Sequence, residues 1–322
     1  MLATVNTAAE SIKTGKSLII SGEEALLAQL PCGNWIGGTI PYFMDQQGGT
    51  MDKTKVFITE LPGQLEEEKI KLYKENELSS IPKDAFENGV SFIIIPATST
   101  CHVRYAQEAP NFPDIFLHPI IGWISGVHLD ELGKRKPKVF NGKDGSSHEN
   151  AAIVLHGRLS ERLMAKIGIV NVFEPNGKDT IVFEKEGFSV DGCLVNGIKK
   201  NFATYLKETG ADTRLPLVAD YSGSMVNVSI QTVHETSVDL YAPVFTGVRY
   251  QLAKKISSYI EQFSAALPKN VSPVFSCNCI LNYLHSELEG KVTKGMYGPI
   301  TFGEIAYQLL NQTLVYLEID SL

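Results

Sequence analysis

Twice along this chain a short, uniformly apolar run leads to a cysteine and is followed, after a polar interval, by a glycine-rich segment. In the first copy FIIIPATSTC, ending at Cys101, is followed by PIIGWISG, starting at Pro119. In the second, SPVFSC, ending at Cys277, is followed by GPITFGE, starting at Gly298. Each glycine segment then leads to another strand-like stretch, KVF from Lys138 and TLVYLEI from Thr313. Runs of this kind suit strands buried on both faces. Glycine lets backbone approach backbone, or a ligand, without a Cβ between them. The repeated order predicts an α/β fold, with mixed β-sheets flanked by helices and two related halves, residues 1–170 and 171–322. A further glycine segment, IGGTIPY from Ile36, precedes the strand-like residues 55–61. Segments of this sort on separate parts of the chain can line one crevice.

Helical spacing marks residues 8–13, residues 22–30 (Ser21 as cap, Glu24 three residues on), and 202–208. Residues 64–77 (QLEEEKIKLYKENE) read as an exposed charged helix, and residues 249–267 as the longest helical pattern in the chain. Strands are expected at 91–95, 151–155, 167–173, 180–184, 226–232 and 237–241, with Asp191-Gly192 and Asn196-Gly197 as turns. Residues 134–149 read mainly as exposed loop.

A net charge of −7 and a pI near 5.6 argue against a nucleic-acid footprint, and the cluster Lys134-Arg135-Lys136 with Lys138 is too short to reverse that. The five cysteines, Cys32, Cys101, Cys193, Cys277 and Cys279, are scattered and odd in number, unlike a disulfide framework or a structural zinc site. With no secretory h-region and no run of ~18 apolar residues, the chain is expected to be cytoplasmic, without a membrane partner.

Catalytic motifs are sparse. No histidine pair has metal-ligand spacing. Cys101 and His102, read as strand neighbours, point to opposite faces, and Cys277 reads as core. Gly298 to Gly303 has the glycine interval of a P-loop, but Glu304 stands where lysine is needed. A carboxylate there suits a cationic group, such as a ligand's ammonium, or the start of a helix over residues 305–310.

GPITFGEIAYQLLNQT, preceded by VFSCNC, resembles the closing part of the FIST C-terminal region. TIVFEKEGFSVDGCLVNGIKKNFATYL is similar to that family's paired strands and N-G turn, and PIIGWISG to its N-terminal region. The sequence departs from the family at Asn278-Cys279-Ile280-Leu281, where a small, arginine-containing stretch is expected, and at Pro41-Tyr42-Phe43.

The resemblance implies a non-enzymatic intracellular sensory domain of bacterial type. Such a domain binds a small ligand, an amino acid or related metabolite, and signals through a separate partner such as a histidine kinase. It implies no cofactor, although some members bind heme for nitric oxide sensing. The expected ligand-lining residues are Gly37 and Thr39 in the first glycine segment and Gly122 and Ser125 in the second. Cys277, Thr301, Gly303 and Glu304 complete the set. The alternative is an enzyme using Cys277 or Glu304.

Overall fold

The computed structural model describes residues 1–61, 63, 65–221, 224–269, 271–293 and 295–321. It is α/β, with mixed sheets flanked by short helices. The chain divides into two compact units. Unit 1 comprises Met1–Ile169, Leu267–Leu309 and Leu314–Leu322; unit 2 comprises Val170–Ala266 with Leu310–Thr313. Instead of two consecutive halves, the chain leaves the first unit near residue 170 and returns to it.

Unit 1 is built from three copies of one motif. Each copy runs through a lead strand, a parallel inner pair joined by a helix, a hairpin and a return strand. In the first repeat these are Leu2–Ala3, the pair Leu18–Gly22 and Trp35–Thr39 joined through helix Glu24–Leu27, the hairpin Tyr42–Asp45 and Gly48–Met51, and Val56–Glu60. In the second they are Leu65–Tyr73, the pair Gly89–Pro96 and Ile120–Ser125 joined through Thr100–Glu108, the hairpin Val139–Asn141 and Ser146–His148, and Ala152–Leu159. In the third they are Leu163–Val170, the pair Phe275–Cys279 and Gly298–Thr301 joined through Ile280–His285, the hairpin strands Glu304–Ala306 and Gln308–Leu310, and Leu314–Ser321.

In all three sheets the order is lead, return, first inner, second inner, followed by a hairpin from another repeat. The first repeat's hairpin pairs with Gly298–Thr301, the second's with Trp35–Thr39 and the third's with Ile120–Ser125. The exchange is cyclic, so each second inner strand gains a partner that its own repeat does not supply. The recurrence seen twice in the sequence is therefore threefold. Its third member is the glycine segment at residues 36–42.

The inner strands follow from their composition. GVSFIIIP is buried along its whole length, as a β-branched run inside a sheet should be. The lead strand LEEEKIKLY departs from the expected helix over 64–77: Leu65–Tyr73 is a strand and Glu75–Ser80 a 3-10 helix, with Gln64 outside the described residues. Pairing with all of Ala152–Leu159 outweighs the helix propensity of its Glu and Lys, and the charges protect an exposed sheet edge. The helix expected over 305–310 is instead the third hairpin. It is broken at Tyr307, whose φ of 63° no right-handed helix accommodates. Cys101 and His102 lie on helix Thr100–Glu108 rather than on a strand. Residues 22–30 shorten to helix Glu24–Leu27, with Ser21 in a strand and Glu23 at the cap position.

Unit 2 is an antiparallel module. One six-stranded sheet has the order Ile198–Asn201, Gly192–Val195, Ile181–Phe183, Tyr250–Leu252, Leu217–Tyr221 and Ser224–Val228, and a three-stranded sheet lies apart from it in pairing. Helix Phe202–Thr209 is capped by Asn201 and ends at the left-handed Gly210. The long helix expected over 249–267 is reduced to Tyr259–Ala266, because Tyr250–Leu252 joins the sheet. Tyr250 fixes that choice: its hydroxyl accepts from Phe245 N at 2.9 Å and lies 2.6 Å from the Tyr221 hydroxyl. Asn311-Gln312-Thr313, of which Thr313 is expected to open the last strand, is a bend within this unit. Asn227 Nδ2 donates to the Asn311 carbonyl (3.0 Å) and Ser229 Oγ to Gln312 Oε1 (2.7 Å).

Candidate junction site

The glycines explain how the three repeats pack. Gly37, Gly122 and Gly298 hold equivalent places on the second inner strands, beside Ile20, Ile93 and Ser276 of the first. A Cβ at Gly37 would lie 2.8 Å from the Ile20 carbonyl oxygen. At Gly122 and Gly298 it would overlap the carbonyl oxygens of Ile93 and Ser276.

Past these glycines the carboxyl ends of the parallel pairs meet. Gly126 N donates to the Thr39 carbonyl (2.7 Å), Ile124 N to the Gly303 carbonyl (2.8 Å), and Phe302 N back to the Ile124 carbonyl (3.1 Å). Backbone from all three glycine segments is thus tied together in one region. Carboxyl ends of parallel strands are where α/β sheets commonly hold ligands.

Glu304 sits directly opposite Trp123 in the antiparallel register, so both side chains share a face with Ser125, two residues on. Glu304 is fully buried, in a strand, and not at a helix start. Trp123 stacks on Phe275 with centroids 5.9 Å apart. The Cys277 thiol donates to the Gly122 carbonyl (3.3 Å). Thr301 Oγ1 lies within hydrogen-bond distance of the Gly303 (3.1 Å) and Asn278 (3.3 Å) carbonyls. Ser125, Cys277, Thr301, Gly303, Glu304 and the Gly122 carbonyl therefore belong to one buried region. Gly37 and Thr39 turn away from it. Gly37 abuts Ile20 and the Trp35 ring, and Thr39 Oγ1 accepts from Lys138 N (2.9 Å).

Gly38, not singled out by the sequence, takes the inward position. Its missing Cβ admits Ile94 (2.7 Å), the Ser125 Cβ (3.2 Å) and Trp123 Nε1 (3.3 Å). Trp123 is a second residue that the sequence reading passes over, although its spacing of two from Ser125 puts it on the same face. Trp123 Nε1 and Ser125 Oγ are buried with no hydrogen-bond partner among the described residues. Buried polar atoms in this condition are costly unless water or a ligand meets them.

A rim of polar groups lies just beyond the strand ends. Tyr42 stacks on His128 (5.7 Å) and tilts against Tyr283 (5.8 Å). The Tyr42 hydroxyl accepts from Leu129 N (3.2 Å), and burial raises its pKa above the usual phenol value. Glu23 binds Arg135 through one oxygen (3.1 Å), while its other oxygen is buried with no partner among the described residues.

All five cysteines are free. Burial, with the Glu304 carboxylate next in weight, pushes the Cys277 thiol well above its ordinary value. Burial also lifts Cys101 and Cys193 to about 11. Cys32 alone is exposed. Titration of the native protein with a thiol reagent at pH 8 should therefore modify one cysteine quickly, and all five only after denaturation. Rapid native labelling at Cys277 would contradict this burial and favour a nucleophilic role.

Among the described residues no group of three His, Cys, Asp or Glu is placed to hold a metal ion, and no helix is long and apolar enough to cross a membrane. The family model described as a family of unknown function, DUF6976, matches residues 3–320. Among curated proteins none matches the chain.

Proposed function

We propose that this chain, which belongs to the DUF6976 family, binds a small polar ligand at the junction of its three repeats and serves as a sensor rather than a catalyst. The observation that carries this reading is the meeting of Glu304 with two buried donors that have no partner among the described residues, Trp123 Nε1 and Ser125 Oγ, on one face of one sheet. An amino acid or related metabolite supplies an ammonium for the carboxylate and acceptors for the indole and hydroxyl. The buried thiol of Cys277 suits a wall of the site better than a nucleophile. In keeping with the FIST resemblance, the signal would pass to a separate intracellular partner such as a histidine kinase.

Because the junction residues are nearly fully covered, ligand entry requires the strand ends to part, and closure over a ligand stabilises the native state. Purified protein should be screened against amino acids and related metabolites by thermal shift. A true ligand at about a hundred times its Kd adds about 2.7 kcal/mol, enough to raise Tm by several degrees. Ser125→Ala and Glu304→Gln should fold and lose that shift. A flat response across the whole panel, or an equal shift in both variants, would sink the proposal.

A further inference from the structure

Unit 2 holds a cleft of about 570 Å³, a size typical of small-molecule sites. It lies between the end of helix Phe202–Thr209, the loop at 176–179 and the stretch following Tyr250–Leu252. Its apolar lining includes Tyr205, Leu215 and Leu252, while Lys178, Lys254 and Lys255 supply cations. Two carboxylates, Asp179 and Asp212, share that lining with the three lysines.

The carboxylates in the wall are already engaged. Asp179 accepts from the Tyr205 hydroxyl (2.9 Å) and from Asn196 Nδ2 (2.7 Å). Asp212 is clasped by Arg214 through two bonds, at 2.9 and 2.7 Å, which holds its carboxyl below the usual range. Lys254 is paired with Glu174 (2.8 Å). Lys178 and Lys255 have no ion-pair partner among the described residues. An anion entering here meets two ammonium groups outside any close ion pair among the described residues, Lys255 also feeling the Asp212 carboxylate at longer range, and an apolar surface for the rest of its body.

We propose that this cleft is a second binding site, for a small organic anion with an apolar body and a carboxylate, sulfonate or phosphate head. Tyr205, Leu215 and Leu252 receive the body, and Lys178 and Lys255 hold the head. The site lies wholly within unit 2 and does not depend on the junction.

The test uses the full chain and 8-anilinonaphthalene-1-sulfonate, whose fluorescence rises in an apolar site. Saturable binding at one site is expected, weakening with added salt. Lys178→Glu with Lys255→Glu should weaken it about tenfold, by loss of attraction and gain of repulsion. Lys178→Gln with Lys255→Gln should give a smaller loss in the same direction. Lys134→Glu with Lys136→Glu, the same charge change on unit 1, should leave binding unaltered. The uncharged N-phenyl-1-naphthylamine should bind several-fold more weakly than the sulfonate. Equal affinity in the Lys178/Lys255 variants, or equal binding of the uncharged dye, would overturn the proposal.

Discussion

Gly122→Ala is expected to lower stability by about 3 kcal/mol or more, or to prevent folding outright, and Gly298→Ala should do the same. Both added methyl groups would fall on a backbone carbonyl, Ile93 in one case and Ser276 in the other. A side chain can turn aside, but a carbonyl inside a paired strand moves only if the ladder moves. Gly37→Ala meets its equivalent carbonyl at 2.8 Å. A small shift suffices there, so a cost of about 1–2 kcal/mol is expected. At Gly192 an added Cβ has nothing nearer than 3.8 Å. Gly192→Ala should therefore be neutral or stabilise by about 0.5 kcal/mol. Urea unfolding of the four variants checks the order. If Gly122→Ala unfolds within about 0.5 kcal/mol of wild type, below the usual cost of overpacking, the close approach of the inner strands is wrong.

The order matters because it compares one position across three repeats. Each second inner strand lies between its parallel partner and a hairpin from elsewhere in the chain, with no free edge along which to relax. The crowding at Gly122 and Gly298 is therefore built into the cyclic exchange. A substitution there should disturb the contributing hairpin too, and with it the junction. In Gly37→Ala, which is expected to fold, any change in ligand response can be compared directly with Ser125→Ala.

Much of the scaffold is visible in local sequence. The apolar runs at 91–95 and 275–277 are inner strands, and the glycine segments are the strands beside them. The echo shows between two copies because both carry a cysteine landmark, yet those cysteines are not equivalent: Cys101 is helical and Cys277 lies in a strand. The first repeat has no such landmark, so its membership stays hidden. The hairpin exchange is hidden as well, since it pairs Met44 with Gly298 and Trp123 with Glu304, partners far apart in the chain. Local composition cannot specify such partners, and it misassigns the strand LEEEKIKLY, where charge protects an edge and imitates an exposed helix. Ser125, Cys277, Thr301, Gly303 and Glu304 do place side chain or backbone in the junction, along with the Gly122 carbonyl. Gly37 and Thr39 lie on the other face of their strand, one step of the strand period from Gly38, which faces the junction.

Stability should fall steeply between pH 6.5 and pH 4, through two buried histidines of unit 1. Burial holds His102 and His156 at about 4, against 6.5 for the exposed side chain. The setting of His156 shows why it stays neutral. Lys71 lies 2.6 Å from Asp84, and the Tyr73 hydroxyl donates to Asp84 (2.8 Å). With its proton so used, the Tyr73 oxygen, 2.8 Å from His156 Nε2, accepts from that nitrogen. Nδ1 is then the bare nitrogen and accepts from Ser91 Oγ at 2.7 Å. A second ring proton would face the Ser91 hydroxyl in a fully buried site; Lys69 and Lys71 oppose it as well, and the Asp84 carboxylate between them offsets that only in part. Below pH 6.5 the unfolded chain takes up protons at both histidines while the folded chain does not, so acid favours unfolding. The loss grows to about 3 kcal/mol per histidine by pH 4. Asp84, held at about 2 by its hydrogen bonds and its lysines, adds a further loss only as pH falls below its ordinary 3.8. Urea midpoints measured at half-unit steps from pH 7.5 to 4 should therefore bend downward near 6.5 and keep falling. A flat profile down to pH 4.5 would mean that the two imidazoles titrate normally in the native protein, and a rise in stability on acidification would mean that they already carry charge there.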